Sequence, residues 1–210
     1  MANEDEKNKE LKEIELIVND EEIDMISAMG WVEYPAINQD LTYFNDENVK
    51  HNYTFATADR EKGIIVAPAM IPEKRIYRYN PFTNEEYYAW FSKETIEKLS
   101  QNFLISGFYR NNTLQHEHPL KGIHLIYSWL VANQHDPLIT EYGYKNIPNG
   151  TWVLSYKIDN PKVKEKIKNG EINGLSVEAW ITEKYDNHNL DDDEKVLEEI
   201  KNLLKISDVG

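Results

Sequence analysis

The sequence predicts an α+β domain, mostly strands, in which a mixed or antiparallel sheet closes into a barrel with a few helices around it. Three observations lead there. The strongest apolar segments, such as "GIIVAPAMIP" and "GIHLIYSWLVA", are short and rich in β-branched and aromatic residues. Complete helix signals occur in only two or three places. The strands also lack the regular alternation with helices that a doubly wound sheet requires. At 210 residues the chain is long enough to bury one substantial core. We divide it into an acidic leader (1–20), a main domain (21–185) and an acidic linker with an amphipathic helix (186–210).

Taken in order, "LKEIELIV" alternates apolar and polar residues and starts a first strand. "EIDMISAMGWVEYPAI" is strand-like and stops at Pro35. The polar stretch from Asn38 to Arg60 reads as loop or hairpin. The run 63–72 is almost continuously apolar, as a strand buried on both faces should be, and Pro72 closes it. "RIYRYN" and "YYAWF" flank the turn residues "NPFTNEE" and form a hairpin. "SKETIEKLSQNFL" is a helix: Ser92 can cap it, Ile96, Leu99 and Phe103 share one face, and Gly107 breaks it. "NNTLQHEHP" is a short strand ending at Pro119, and "GIHLIYSWLVA" is the next. "GTWVLSYKID" places Trp152, Leu154 and Tyr156 on one face. In "NPKVKEKIKNG", Asn160 caps a short helix, Pro161 opens it and Gly170 ends it. "INGLSVEAWITEKY" is a strand with Leu175, Val177, Ala179 and Ile181 on one face.

Charge and composition exclude several function classes. The formal net charge is −14, which argues against a nucleic-acid surface, because phosphate contacts need clustered Lys and Arg. The absence of cysteine removes thiol nucleophiles, disulfides and thiolate zinc sites. No apolar run has membrane-spanning length and Met1 is followed by acidic residues, so a cytosol-like compartment is expected.

Two segments carry candidate chemistry. In "NTLQHEHPLKGIH" three of the six histidines fall within nine positions. If His116 and His118 lie on one strand they point the same way and could approach one ion, with His124 or Glu117 as a third ligand. The H-E-x-x-H spacing that makes a zinc assignment strong is absent, and solvated histidines beside a turn explain the pattern equally well. In "GEINGLSVEAW", Ser176 stands two residues after Gly174 and shares a strand face with Glu178 and Trp180. A nucleophilic serine needs an imidazole and nearby backbone amides; a small polar residue on a solvated face is the plainer account of any single serine. His51, His135 and His188 lie in polar stretches and read as solvated. The "DDDE" run (191–194) lacks the ligand spacing of a calcium loop.

Four segments in order resemble the phage prohead (capsid maturation) serine proteases of the XkdF-like kind: "GIIVAPAMIPEKRIYRY", "FSKETIEKLSQNFL", "LQHEHPLKGIHLIYSWLV" and "NPKVKEKIKNGEINGLSVEAW". "ISAMGWVEYPAI" is similar to a further N-terminal element of such proteins. The resemblance spans roughly Ile23 to Tyr185 and makes 21–185 the protease domain. It implies a fold related to the herpesvirus assemblin barrel, with Ser176 as nucleophile and His116 as general base. His118 is the alternative base, since some relatives carry His directly before Pro. His118, Glu178 and Glu117 are open as the third member. No Arg adjoins the nucleophile strand in sequence, which leaves the oxyanion to backbone amides near Gly174 or to a feature the sequence does not locate.

The implied function is an endopeptidase that cleaves scaffold or core protein, the major capsid protein and its own acidic ends inside the assembling prohead, in the host cytoplasm. No cofactor, nucleic acid or membrane partner is implied, and a homo-oligomer is left open. Two other classes stand beside it: a catalytically idle structural or scaffold component of the virion, and a metal hydrolase built on His116, His118 and His124.

Overall fold

In a computed structural model, the described residues are 11–18, 24–38, 56–59, 62–81, 83–133, 136, 142, 144 and 147–183. The acidic leader before residue 11, the segment 39–55 and the acidic tail with its expected helix lie outside them.

Among the described residues there are twelve strands and two helices. They are β1 (Lys12–Ile17), β2 (Met25–Val32), β3 (Ala56–Asp59), β4 (Ile64–Met70), β5 (Ile76–Asn80), β6 (Glu85–Phe91), α1 (Lys93–Ile105), β7 (Asn112–Leu114), β8 (His118–Leu120), β9 (Ile123–Leu130), β10 (Trp152–Ile158), α2 (Pro161–Lys168), β11 (Gly174–Trp180) and β12 (Thr182–Glu183). They form three four-stranded sheets, ordered β12-β1-β6-β5, β3-β4-β10-β9 and β11-β2-β7-β8. Pairings are mostly antiparallel, with β1–β6 and β2–β7 parallel. The fold is therefore mixed α+β. Each sheet has two edges, so the described pairings close no ring.

Local chemistry accounts for the elements. Ser92 Oγ accepts from the Thr95 N–H and caps α1, and Asn160 Oδ1 accepts from the N–H groups of Lys162 and Val163 at the start of α2. Ile96, Leu99 and Phe103 of α1 are fully buried, and Phe103 meets Trp152 edge-on with ring centroids 5.4 Å apart. Trp152, Leu154 and Tyr156 sit in the core as expected, but Val153 and Ser155 on the other face of β10 are buried as well. β10 is the inner strand between β4 and β9; the alternation is real, and neither face is solvated.

One strand reading needs correction. "NNTLQHEHP" does not run extended to Pro119. It breaks at Gln115–His116, both with positive φ (52° and 62°), and the Glu117 N–H reaches the Leu114 carbonyl at 3.0 Å. This is a tight hairpin turn of the type I′ kind, with β8 leaving antiparallel to β7 and Pro119 inside it. Pro119 lies on the outermost strand of its sheet, where a missing N–H is tolerated. His116 and His118 consequently do not share a strand.

Candidate active site

The sheet β11-β2-β7-β8 assembles the site. Ser176 on β11 pairs with Gly30 on β2, and Gly30 pairs in turn with Thr113 on β7. Directly paired residues on neighbouring strands point to the same face, with Cβ atoms about 5 Å apart. Ser176 and Thr113 thus flank a position that has no side chain of its own, and the His116 imidazole fills it. A Cβ added to Gly30 would lie 2.4 Å from His116 Cε1, 2.7 Å from Nδ1 and 3.0 Å from Nε2. Glycine is required here for space: the ring rests on the strand backbone beside the serine.

The hairpin turn explains how His116 gets there. Its base is tied to β2 on both sides of Gly30, by Met29 N–H to the Asn111 carbonyl (2.9 Å) and by Gln115 N–H to the Trp31 carbonyl (3.1 Å). Trp31 Nε1–H also donates to buried Asn112 Oδ1 at 2.9 Å. Between these anchors the chain reverses through two left-handed residues that are not glycine. That conformation costs roughly 1 kcal/mol or more per residue, and its retention at a pocket is characteristic of functional turns.

Glu178 completes the cluster. It lies two residues after Ser176, on the same face of β11, and its carboxylate is half-buried. His116 Nδ1 faces Glu178 Oε1 at 3.0 Å, and Thr113 Oγ1 donates to the same oxygen. The Glu178 main chain is held as well, since its carbonyl accepts from Ser27 Oγ at 3.1 Å. With Nδ1 engaged by a carboxylate, the imidazole keeps Nε2 for another partner. Serine, imidazole and carboxylate on one face are the parts of an acyl-transfer centre. Among the described residues no hydrogen bond joins Ser176 to His116.

The other candidate residues lie apart. His118 is three-quarters exposed and stands 3.7 Å from the similarly exposed Glu117. His124 stands on β9 facing Asp159 at 3.3 Å. Among the described residues no three metal-ligating side chains converge. Trp180 is largely exposed at the end of β11, past a register shift between Glu178 and Ala179.

Among the described residues no strand pairs with β11 on its other side, and beside it lies a cavity of about 280 Å³. Leu175, Val177, Ala179 and Ile181, the apolar face of the strand, line it together with Ser176. Met70, Ile76 and Phe91 stand opposite, and Arg78 reaches in from β5. An Arg thus lines the same cavity as Ser176, delivered by a hairpin nearly a hundred residues upstream. Sequence reasoning missed Gly30, Thr113 and Arg78. Of these only Gly30 left a signal, as a glycine inside the strand "ISAMGWV".

A model of the family described as "Putative phage serine protease XkdF" matches residues 72–186, more than half of the chain. The match includes Arg78, His116, Ser176 and Glu178; β2 with Gly30 precedes it. No curated protein and no solved structure matches the chain.

Proposed function

The chain belongs to the XkdF family of phage serine proteases, and on that premise we propose that it is a head-maturation endopeptidase with Ser176 as nucleophile, His116 as general base and Glu178 as the carboxylate that orients it. The observation that carries the reading is the His116 ring, set with Nδ1 against Glu178 Oε1 and lodged on Gly30, the pairing partner of Ser176.

Each side chain then has one task. Ser176 Oγ attacks the scissile carbonyl as its proton passes to His116 Nε2. Glu178 holds the ring in the tautomer that presents Nε2 and stabilises the imidazolium as it forms. His116 returns the proton to the leaving amine, and the peptide bond breaks. Water, deprotonated by the same nitrogen, then releases the acyl group and restores Ser176. Thr113, by donating to Glu178 Oε1, fixes the direction of that carboxylate. The substrates in this reading are the scaffold or core protein, the major capsid protein and the chain's own acidic ends. The three sheets would be the walls of an assemblin-like barrel.

Co-expression with a scaffold protein tests the reading by gel and mass spectrometry. Cleavage should occur with the native chain and disappear with Ser176→Ala; persistence in that variant would refute the assignment. One observation favours the idle structural component instead: Ser176 and His116 are not hydrogen-bonded. Active-site contacts of this kind often tighten only with substrate bound. Failure of the native chain to cleave scaffold in assembling heads would select the idle reading.

A further inference from the structure

The cavity beside β11 holds a charge that the catalytic reading does not use. Arg78 alternates with Ile76 along β5, so its side chain follows Ile76 inward, and it pairs across the hairpin with Tyr87, which also lines the cavity. Among the described residues its hydrogen bond is from Nη1 to the neighbouring Tyr77 carbonyl, at 3.0 Å. Among the described residues no carboxylate pairs with it. Burial disfavours its charged form and pulls the guanidinium below its ordinary value. A half-buried guanidinium keeps its charge regardless, and such groups are normally paired. The walls around it are apolar, as suits the methylene stem of an incoming side chain, and Ser176 stands on the same rim.

Resting on the protease reading above, we propose that this cavity is the specificity pocket and that Arg78 selects an acidic side chain on the residue whose carbonyl Ser176 attacks. A peptide laid along the outer edge of β11, which pairs with no strand among the described residues, gains main-chain hydrogen bonds from it. One side chain of that peptide turns into the cavity, with its methylenes on Leu175, Val177 and Ile76 and its carboxylate on the Arg78 fork. The chain's own ends offer such residues in quantity, in "NEDE" (3–6) and "DDDEKVLEE" (191–199). Self-processing should therefore fall after Asp or Glu.

The test incubates the full-length chain with a random synthetic peptide library and identifies the new termini by mass spectrometry. Native protein should cut after Glu and Asp in preference to Gln, Ala and Lys. Arg78→Gln should lose the acidic preference, on the order of 100-fold in kcat/KM for acidic sites, with other sites changed less than about threefold. Arg78→Glu should shift cutting toward Lys and Arg. Arg78→Lys, with a thermal melt for each variant, guards against misfolding: it should keep the acidic preference at a reduced rate. Cutting by the native chain without acidic enrichment overturns the proposal, as does enrichment that survives Arg78→Gln. Equal loss at all sites in Arg78→Gln overturns it too, because it would place Arg78 in the reaction and not in selection. No cutting by the native chain, with no serine reactive toward a fluorophosphonate, would instead refute the protease reading and this inference with it.

Discussion

Gly30→Ala perturbs the proposed centre without altering any residue assigned to the chemistry. Strand β2 is extended at Gly30, and no positive φ forbids a side chain there. The obstacle is the imidazole, because the new methyl would sit 2.4 Å from His116 Cε1. Ordinary van der Waals contact begins near 3.4 Å, so the ring must retreat by 3.4 − 2.4 = 1.0 Å. It has somewhere to go, since the His116 side chain is 39% exposed. Swinging outward opens the 3.0 Å contact with Glu178 and moves the imidazole off Gly30, the pairing partner of Ser176. A displacement of about 1 Å at a catalytic group costs on the order of 100-fold in rate. Global stability should change by less than about 1 kcal/mol, because the methyl meets a movable side-chain end and alanine is less costly than glycine in a strand. The assay is scaffold cleavage followed by gel densitometry, with a thermal melt of the same sample. Full cleavage by a well-folded Gly30→Ala protein would refute the placement of His116 as the base.

Further expectations follow from the same geometry. His116→Ala should reduce scaffold cleavage by at least about 10³-fold, whereas His118→Ala, on an exposed side chain, should change it less than about threefold; equal losses would revive His118 as base. Glu178→Gln keeps the shape but removes the carboxylate that receives Nδ1–H, and kcat should fall by about 10²- to 10⁴-fold with a smaller change in KM. Tyr156 is wholly buried, its hydroxyl has no hydrogen-bond partner among the described residues, and burial holds its ionisation far above the ordinary range. Tyr156→Phe should therefore keep the edge-on packing against Trp31, at 5.1 Å, and raise stability by about 1 kcal/mol in urea unfolding; a loss of stability would mean that the hydroxyl has a partner after all.

The residues show unevenly how much of this was legible in advance. Helix ends were readable because Ser92 and Asn160 act locally, through amides two or three positions away. Strand periods were readable for the same reason, and "GLSVEAW" correctly separated Leu175 and Val177 from Ser176 and Glu178. What that face meets was not readable: the apolar row lines a cavity, because β5 and β6 stand opposite it and no local pattern encodes their arrival. The turn at His116 was hidden by its composition. Two left-handed residues are normally announced by Asn or Gly, and Gln-His carries no such signal. The contact between Glu178 and His116 was hidden in the same way. Glu178 meets His116 only because β2 brings β11 and β7 to its two sides, and Gly30, the residue that permits the contact, contributes no functional group.

Mapping the adduct of a fluorophosphonate on the chain, in the presence of scaffold, tests the central claim most directly. Peptide mass spectrometry should locate the label on Ser176 in the native protein and in His118→Ala, with labelling slowed at least about 100-fold in His116→Ala. A label on any other residue, or labelling of Ser176 that is indifferent to His116, would contradict the account.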